Sequence, residues 1–163
     1  MLLAGQRVVL RRANLADVPR LAAIIESPEV SQWWGTPFTE RDLEGEEVVF
    51  AVEVGGDDVA GLIQYYEENE PDYRSAGIDI ALAPEQHGRG HGPDALRTLA
   101  RYLFEQRGHH RLTIDPAAAN TRAIAAYSKV GFKPVGVMRR YERGRDGNWH
   151  DGLLMDMLHE ELC

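Results

Sequence analysis

The stretch Pro84-Glu-Gln-His-Gly-Arg-Gly-His-Gly92 decides the fold of this chain. It has glycine at positions 88, 90 and 92, follows an extended apolar run over residues 76–83 and precedes an apolar helical pattern over residues 94–104. A strand that turns through glycines into a helix directs several backbone N–H groups towards one point, and the helix dipole adds positive charge there. The stretch therefore predicts a phosphate-binding turn, and the diphosphate of a bound cofactor is the expected ligand.

The glycine spacing differs from that of two familiar nucleotide-binding turns. A dinucleotide-binding turn has Gly-x-Gly-x-x-Gly, and the phosphate loop of nucleotide hydrolases has Gly-Lys-Ser/Thr. This chain has Gly-x-Gly-x-Gly followed by Pro93. A glycine-rich surface turn without a ligand is the alternative, but the position between a strand and a helix favours the binding turn.

Composition indicates an ordinary soluble protein. The 163 residues, 44% hydrophobic and 27% charged, are enough for one domain with its own core, so a single domain over residues 1–163 is expected. The net charge of −8 argues against a nucleic-acid partner. It suits a small cationic substrate, although solubility alone explains such a charge equally well.

Cysteine and histidine usage argues against a metal site. Cys163, the single cysteine, excludes an internal disulfide, and the six histidines are too scattered to form a set of ligands, so no metal is expected. The sequence has no signal peptide and no long apolar span. We therefore expect a cytoplasmic protein without a membrane partner, as a monomer or a homodimer.

The order of predicted elements indicates an α+β fold. Hydrophobic periodicity, capping residues and turns predict seven strands, at residues 6–12, 48–54, 59–66, 78–82, 111–114, 132–141 and 150–158. They also predict helices at residues 14–26, 39–46, 94–106 and 120–130. This order predicts a central mixed sheet of six to seven strands, flanked on both faces by about four helices.

A second motif lies in the last predicted helix. Residues 120–132 read Asn-Thr-Arg-Ala-Ile-Ala-Ala-Tyr-Ser-Lys-Val-Gly-Phe. This motif and the glycine turn, in this order, resemble the GCN5-related N-acetyltransferase (GNAT) superfamily, whose patterns are Arg/Gln-x-x-Gly-x-Gly/Ala and Asn-x-x-Ala-x-x-x-Tyr-x-Lys-x-Gly-Phe. The resemblance covers nearly the whole chain and implies acetyl transfer from acetyl-CoA to an amine.

The resemblance implies a cofactor site. Loop amides would bind the pyrophosphate of acetyl-CoA, and the preceding strand would hold its pantetheine arm. His87 occupies the usual Arg/Gln position, where a protonated imidazole could still help the diphosphate. Asn120 is included as a cofactor-site residue, with a helix N-cap as its structural alternative. The implied residues are Ile80, Ala81, Leu82, His87, Gly88, Arg89, Gly90, His91, Gly92 and Asn120.

Three side chains are candidates for the chemistry. Tyr127 matches the family tyrosine that acts as general acid towards the CoA sulfur, although it also fits an apolar helical stripe as a core aromatic. Asp79 lies within an apolar strand, where a carboxylate is unfavourable unless it is paired or functional, so it is either a base with a raised pKa or the partner of an arginine. Asp115 precedes a proline and could simply form a turn.

Three short segments resemble the aminoglycoside 6'-N-acetyltransferases. They are Trp33-Trp34-Gly35, Gly77-Ile-Asp79 and Asp115-Pro-x-x-x-Asn-x-Arg-Ala-Ile124. The resemblance implies that Asp79 is the base, that Asp115 is a substrate ligand and that the two tryptophans lie near the substrate cleft, with burial in the core as the alternative for them. The acidic segment 67–72 could attract a polycation, but a solvated loop is favoured.

Three functions follow as hypotheses. The first is acetylation of the 6'-amine of an aminoglycoside. The second is acetylation of a protein N-terminus or another small amine, because the C-terminal hairpin around residues 138–151 resembles enzymes of that kind. The third is a binding module for acyl-CoA that keeps the fold without catalysis, because fold alone does not establish activity.

Overall fold

The computed structural model describes residues 1–56 and 58–163. Within these residues the chain forms eight strands and four α-helices. The strands are β1 (Leu2–Ala4), β2 (Val8–Arg12), β3 (Val48–Val54), β4 (Asp58–Glu68), β5 (Ser75–Leu82), β6 (Arg111–Ile114), β7 (Lys133–Arg143) and β8 (Trp149–Leu158). The helices are α1 (Val18–Glu26), α2 (Pro28–Ser31), α3 (His91–Glu105) and α4 (Thr121–Val130).

All eight strands belong to one mixed sheet in the order β1-β2-β3-β4-β5-β6-β8-β7. Neighbours are antiparallel except β5 and β6, which are parallel and pair only at Ala76–Leu112 and Gly77–Thr113. Beyond Gly77, β5 continues to Leu82 paired with β4 alone. The two central strands therefore diverge, and one edge of β5 is left open along a cleft.

Each face of the sheet carries its own apolar core. Helix α3 packs on one face through Leu96, Leu99 and Leu103, and α4 packs beside it. Helix α1 packs on the other face through Leu21 and Ile25. Because β5 is covered on both sides, nearly all of its residues are buried or partly buried, as its apolar sequence predicts.

The predicted fold class is confirmed, with corrections in detail. The sheet has eight strands instead of six to seven, because β1 is too short for its alternation to be recognised. The helix predicted at residues 39–46 is a 3₁₀ turn over Glu40–Leu43, and the Thr39 N–H donates to the Asp42 carboxylate at 2.7 Å. Residues 67 and 68 extend β4. The link between the strands predicted at residues 48–54 and 59–66 includes Asp57, which lies outside the described residues.

Candidate active site

A cleft of about 730 Å³ opens where β5 and β6 diverge. The glycine turn and the N-terminus of α3 form one end of it, and α4 forms a wall. The opposite end is formed by the carboxylates of Asp79, Asp115 and Glu142 and by the segment after α2 that contains Trp33 and Trp34. The cleft brings together Trp33, Trp34, Asp79, Ile80, Ala81, Leu82, His87, Gly88, Gly90, Gly92, Asp115, Asn120 and Tyr127.

The glycine turn has the backbone geometry of an anion site. Gly88 and Gly90 have φ values of 75° and 82°, in the left-handed region that favours glycine, and Gly90 caps the N-terminus of α3. Helix α3 begins at His91, three residues earlier than predicted. Its first amides and those of the turn therefore lie at the positive end of a 15-residue helix, where they could hold a diphosphate.

The side chains of the turn have separate structural roles. The His87 Nε2 lies 2.9 Å from the Leu82 carbonyl oxygen, and burial lowers the pKa of the imidazole despite this contact. We therefore assign a neutral ring that donates to the end of β5, instead of a protonated ring directed at a phosphate. Arg89 is exposed and His91 is buried in the first turn of α3, so both would serve the cleft through backbone N–H groups.

Asp94, which was not predicted as a site residue, strengthens this end of the cleft, and Gln86 lines it beside His87. The buried Asp94 carboxylate accepts from the backbone N–H groups of Gln6, Arg7 and Val8 at 3.1, 2.7 and 3.0 Å, which fixes the start of α3 against the β1–β2 turn. Gln86 is only 8% exposed and its Oε1 has no hydrogen-bond partner among the described residues. Gln86 lines the cleft beside His87, but its unpaired Oε1 is buried, so we assign it no ligand. For Asp94, an acidic residue in the first turn of a helix was a usable signal.

Helix α4 supplies a hydroxyl and a cap. Tyr127 packs against the main core, as the core alternative predicts, and it also lines the cleft. Burial raises the pKa of its hydroxyl, and the negative charge of Asp79 raises it further, so the hydroxyl keeps its proton. Asn120 accepts from the Ala123 N–H at 3.3 Å, which is the capping alternative, and its side chain also borders the cleft.

Asp79 is a mostly buried carboxylate in the middle of β5. Burial raises its pKa to about 6, the charge of Asp115 acts in the same direction, and a hydrogen bond from the Gln64 Nε2 at 3.4 Å opposes the shift. Over residues 1–56 and 58–163 it has no ion-pair partner. The alternative of a pairing with an arginine is therefore wrong in this structure.

Asp115 and Glu142 extend the negative end of the cleft. Burial raises the pKa of both, and the charge of Asp115 adds to the shift at Glu142. Neither has an ion-pair partner in the part of the chain described. Asp79, Asp115 and Glu142 also line a second cavity of about 460 Å³, together with Tyr66 and Tyr141, which the sequence did not identify.

The two tryptophans form the outer wall at this end. Both are partly buried and line the cleft, and Trp34 also packs against the core under α1. The Arg145 guanidinium, at the tip of the β7–β8 hairpin, donates to the Trp34 carbonyl oxygen at 3.1 Å and pairs with both oxygens of Glu26. The hairpin is thus fastened to the tryptophan segment across the cleft.

The acidic segment 67–72 lies elsewhere. Glu67 pairs with Arg107 at 2.8 Å and with the buried His109 at 2.6 Å, and residues 67–72 are absent from the linings of the two cavities just described. In the part of the chain that the structure covers, no group of three or more His, Cys, Asp or Glu residues is arranged to hold a metal ion. In the same residues no helix is both long and apolar enough to cross a membrane.

Comparison with known proteins agrees with this geometry. Residues 7–133 match the model of the acetyltransferase (GNAT) domain. The chain is 33% identical to aminoglycoside N(6')-acetyltransferase type 1 of Klebsiella pneumoniae over 83% of this chain and 78% of that protein. It is 27% identical to the uncharacterized N-acetyltransferase p20 of Bacillus licheniformis, over 97% and 96% of the two chains.

A solved structure shares the fold at almost full length. RimJ of Mycobacterium smegmatis, in complex with CoA-disulfide, superposes with a TM-score of 0.85 at 24% identity, covering 99% of this chain and 89% of the other. The match of the domain model over most of the chain is decisive for the family. The chain belongs to the GNAT acetyltransferase family and is an acetyl-CoA-dependent N-acetyltransferase.

Proposed function

We propose that residues 1–163 form a single N-acetyltransferase domain that acetylates a primary amine of a small cationic acceptor, and that this amine is the 6'-amino group of an aminoglycoside. Acetylation would remove a positive charge from the antibiotic and so inactivate it. The proposal is carried by one observation: a mostly buried carboxylate without a counterion, Asp79, shares a cleft with the protonated hydroxyl of Tyr127.

The cofactor end of the cleft fits acetyl-CoA. The amides of residues 88–92 would bind the diphosphate at the start of α3, with Pro93 contributing no N–H. The open edge of β5 offers backbone groups of Ile80, Ala81 and Leu82 to the pantetheine arm. Asn120 borders this part of the cleft.

The opposite end supplies proton transfer. An ammonium ion is no nucleophile, so the acceptor must first lose a proton, and Asp79 with a pKa of about 6 is a suitable base near neutral pH. The amine then attacks the thioester carbonyl carbon, the C–N bond forms and the C–S bond breaks. The departing thiolate takes the proton of the Tyr127 hydroxyl, which the apolar surroundings keep bound until that moment. The nitrogen, which is cationic after the attack, loses its second proton as the amide forms, and this proton restores the Tyr127 hydroxyl.

The charge of this end favours a polycation. Asp79, Asp115 and Glu142 converge from β5, the end of β6 and β7, and none of the three forms an ion pair with a described residue. Burying carboxylates in this way is unfavourable unless a positive group joins them. An acceptor with several ammonium groups satisfies more than one of them at a time, whereas a peptide N-terminus brings only one.

The similarity to the aminoglycoside enzyme of K. pneumoniae supports the choice of acceptor. Trp33 and Trp34 supply flat apolar walls for sugar rings, and Asp115 would hold a second amine. A short polyamine is the second candidate, because it would meet the same carboxylates. The three unpaired carboxylates favour any polycation over a peptide whose N-terminus is its one positive charge.

The proposal is tested with two antibiotics that differ at the reacting group. Neomycin carries a 6'-amine and paromomycin a 6'-hydroxyl, so each is incubated with acetyl-CoA and the purified protein while the free thiol is measured. We expect turnover with neomycin, none at the 6' position of paromomycin, and one added acetyl group at the 6'-nitrogen by mass spectrometry and NMR.

Matched acceptors decide between the alternatives. Spermidine and a peptide with the N-terminus of a ribosomal protein are assayed under the same conditions. Turnover of the peptide with none of neomycin would overturn the aminoglycoside assignment and leave the transferase. Binding of CoA without acetylation of any of these amines would instead favour the binding module.

A further inference from the structure

The β7–β8 hairpin is irregular where it passes the acceptor end of the cleft. Met138 pairs with Gly152 and Glu142 pairs with His150, so residues 139–141 of β7 lie opposite Asp151 alone. Arg140 in this bulge has a φ of 47°, which is unfavourable for a residue other than glycine. Its backbone N–H donates to the Asp151 carboxylate at 2.8 Å, and this contact holds the bulge in place. A bulge of this kind redirects the side chain that follows it.

The redirected side chain is Tyr141. Its ring lies against Gly152 of β8, where a Cβ atom would come within 3.0 Å of the ring Cδ2. Its hydroxyl donates to the Oδ2 of Asp115 at 3.0 Å. A single contact therefore joins β7 to the end of β6, namely the hydrogen bond from Tyr141 to Asp115. The strained backbone at Arg140 and the absence of a side chain at Gly152 both allow the ring of Tyr141 to reach it.

Asp115 is attached to the same short part of β8. The segment that follows it is bonded through the Pro116 carbonyl oxygen to the Leu153 N–H at 2.8 Å and through the Ala118 N–H to the Asp151 carbonyl oxygen at 2.9 Å. Residues 151–153 therefore carry both the bulge with Tyr141 and the segment with Asp115. This shared anchor fixes the hydroxyl and the carboxylate relative to each other.

We infer that Tyr141 is a positioning residue of the acceptor site: its hydroxyl orients the Asp115 carboxylate towards Asp79 and favours its charged form, so that both carboxylates meet a cationic acceptor. The inference rests on the proposed function for its consequence in catalysis, but not for the contact itself. This role explains the strained backbone at Arg140. In a regular strand, without the bulge, the side chain of residue 141 would point in another direction.

Among the described residues Asp115 forms no ion pair that could replace this hydrogen bond. The titratable groups whose charge or proton couples to it come from four elements, namely Tyr66 on β4, Asp79 on β5, Tyr127 on α4, and Tyr141 and Glu142 on β7. Burial raises the pKa of Asp115, and the Tyr141 hydroxyl is the side chain that opposes this shift. Without the hydroxyl, Asp115 should hold its proton to a higher pH.

Tyr141→Phe is the direct test, because it keeps the ring on Gly152 and removes only the hydroxyl. Carboxyl ¹³C NMR of the protein without ligands should show the titration of Asp115 moved up by about 0.5–1 pH unit. In steady-state kinetics with neomycin, the acidic limb of the pH profile of kcat/KM should also move to higher pH, because both Asp79 and Asp115 must be ionised. The KM for neomycin should rise about three- to tenfold, with the KM for acetyl-CoA unchanged.

A double-mutant cycle and a matched control isolate the contact. In an Asp115→Asn background Tyr141→Phe should have no further effect on the acceptor KM. The control is Tyr73→Phe, which should match the wild type because Tyr73 is 76% exposed and lies outside both cavities. An unmoved Asp115 titration, an unchanged acceptor KM, or equal effects of Tyr141→Phe in both backgrounds would each overturn the inference. If no amine is acetylated, the proposed function fails, whereas the NMR titration still decides the role of Tyr141.

Discussion

The two ends of the cleft are built from different parts of the chain. In the proposed site the recognition groups at the cofactor end are backbone amides, placed by Gly88, Gly90 and the start of α3 and held by Asp94. At the acceptor end they are side chains, the carboxylates of Asp79 and Asp115 among them, supplied by residues far apart in sequence.

This difference explains how one fold serves many acceptors. Backbone amides present the same donors whatever the neighbouring side chains are, so the cofactor end can be shared across a family that uses acetyl-CoA throughout. The acceptor end changes with single substitutions on β5, β6 and β7. Substitutions at one end should therefore affect one substrate and leave the other unaffected, and four predictions test this separation.

The largest effect is expected at Asp79. Asp79→Asn removes the proposed base but keeps the shape of the side chain, so kcat with the acceptor should fall by about 10²–10⁴-fold. The KM for acetyl-CoA should stay within about twofold of the wild-type value. Steady-state kinetics with each substrate varied in turn measures both, and equal losses for the two substrates would contradict the separation of the ends.

The second effect belongs to the cofactor end. Gly90→Val places a β-branched residue at a φ of 82°, which the left-handed region does not accommodate without a shift of the turn. The KM for acetyl-CoA should rise about 10–100-fold, and the acceptor KM should change little. Gly136→Val, at an exposed position of β7 with open space around it, is the control, and an equal loss there would show that the effect is not local.

The third prediction concerns pH. Because burial and the charge of Asp115 raise the pKa of Asp79 to about 6, the base is protonated below that pH. The value of kcat/KM for the acceptor should fall about tenfold per pH unit below pH 6, while binding of CoA should not follow this profile. Rates measured from pH 5 to 8 test it, and a profile that is flat down to pH 5 would exclude Asp79 as the base.

The smallest effect is expected in the free energy of unfolding, where substitutions of Asp79 and Asp94 are compared. The folded pKa of Asp79 lies above the unfolded value of 3.8, so its stabilising contribution is present below that value and is lost as pH rises through about 6. At pH 7 Asp79→Asn should therefore raise the free energy of unfolding, by about 1–2 kcal/mol.

Asp94→Asn should act in the opposite direction. The Asp94 carboxylate accepts three backbone N–H groups, and an amide NH₂ in its place would face them, so stability should fall by about 1–3 kcal/mol. Urea unfolding of both variants at pH 7 gives the comparison. A loss of stability in both would mean that Asp79 has a structural role like that of Asp94.

The sequence predicted the cofactor end better than the acceptor end for a physical reason. The glycine turn and the motif of α4 are each contiguous in sequence, so glycine spacing, helix caps and periodicity predicted both elements. The family resemblance then implied that Gly88, Gly90, Asn120 and Tyr127 share one cleft. The bond of His87 to the Leu82 carbonyl could not be predicted in this way, because it depends on the path of the turn.

The acceptor end depends on pairing between distant strands. Tyr141 reaches Asp115 across 26 positions of sequence, through a bulge whose register no local pattern reveals. Glu142 and Tyr66 looked like ordinary strand residues for the same reason. Asp79 was recognisable because a carboxylate in an apolar strand is unusual, and the sequence left open whether an arginine would pair with it.

The central claim is that backbone groups bind the cofactor independently of the acceptor carboxylates. Calorimetric titration of CoA into the wild type and into Asp79→Asn tests it most directly. We predict the same binding heat and the same affinity, within about twofold, for the two proteins. Absence of heat with the wild type, or loss of binding in Asp79→Asn, would contradict the account.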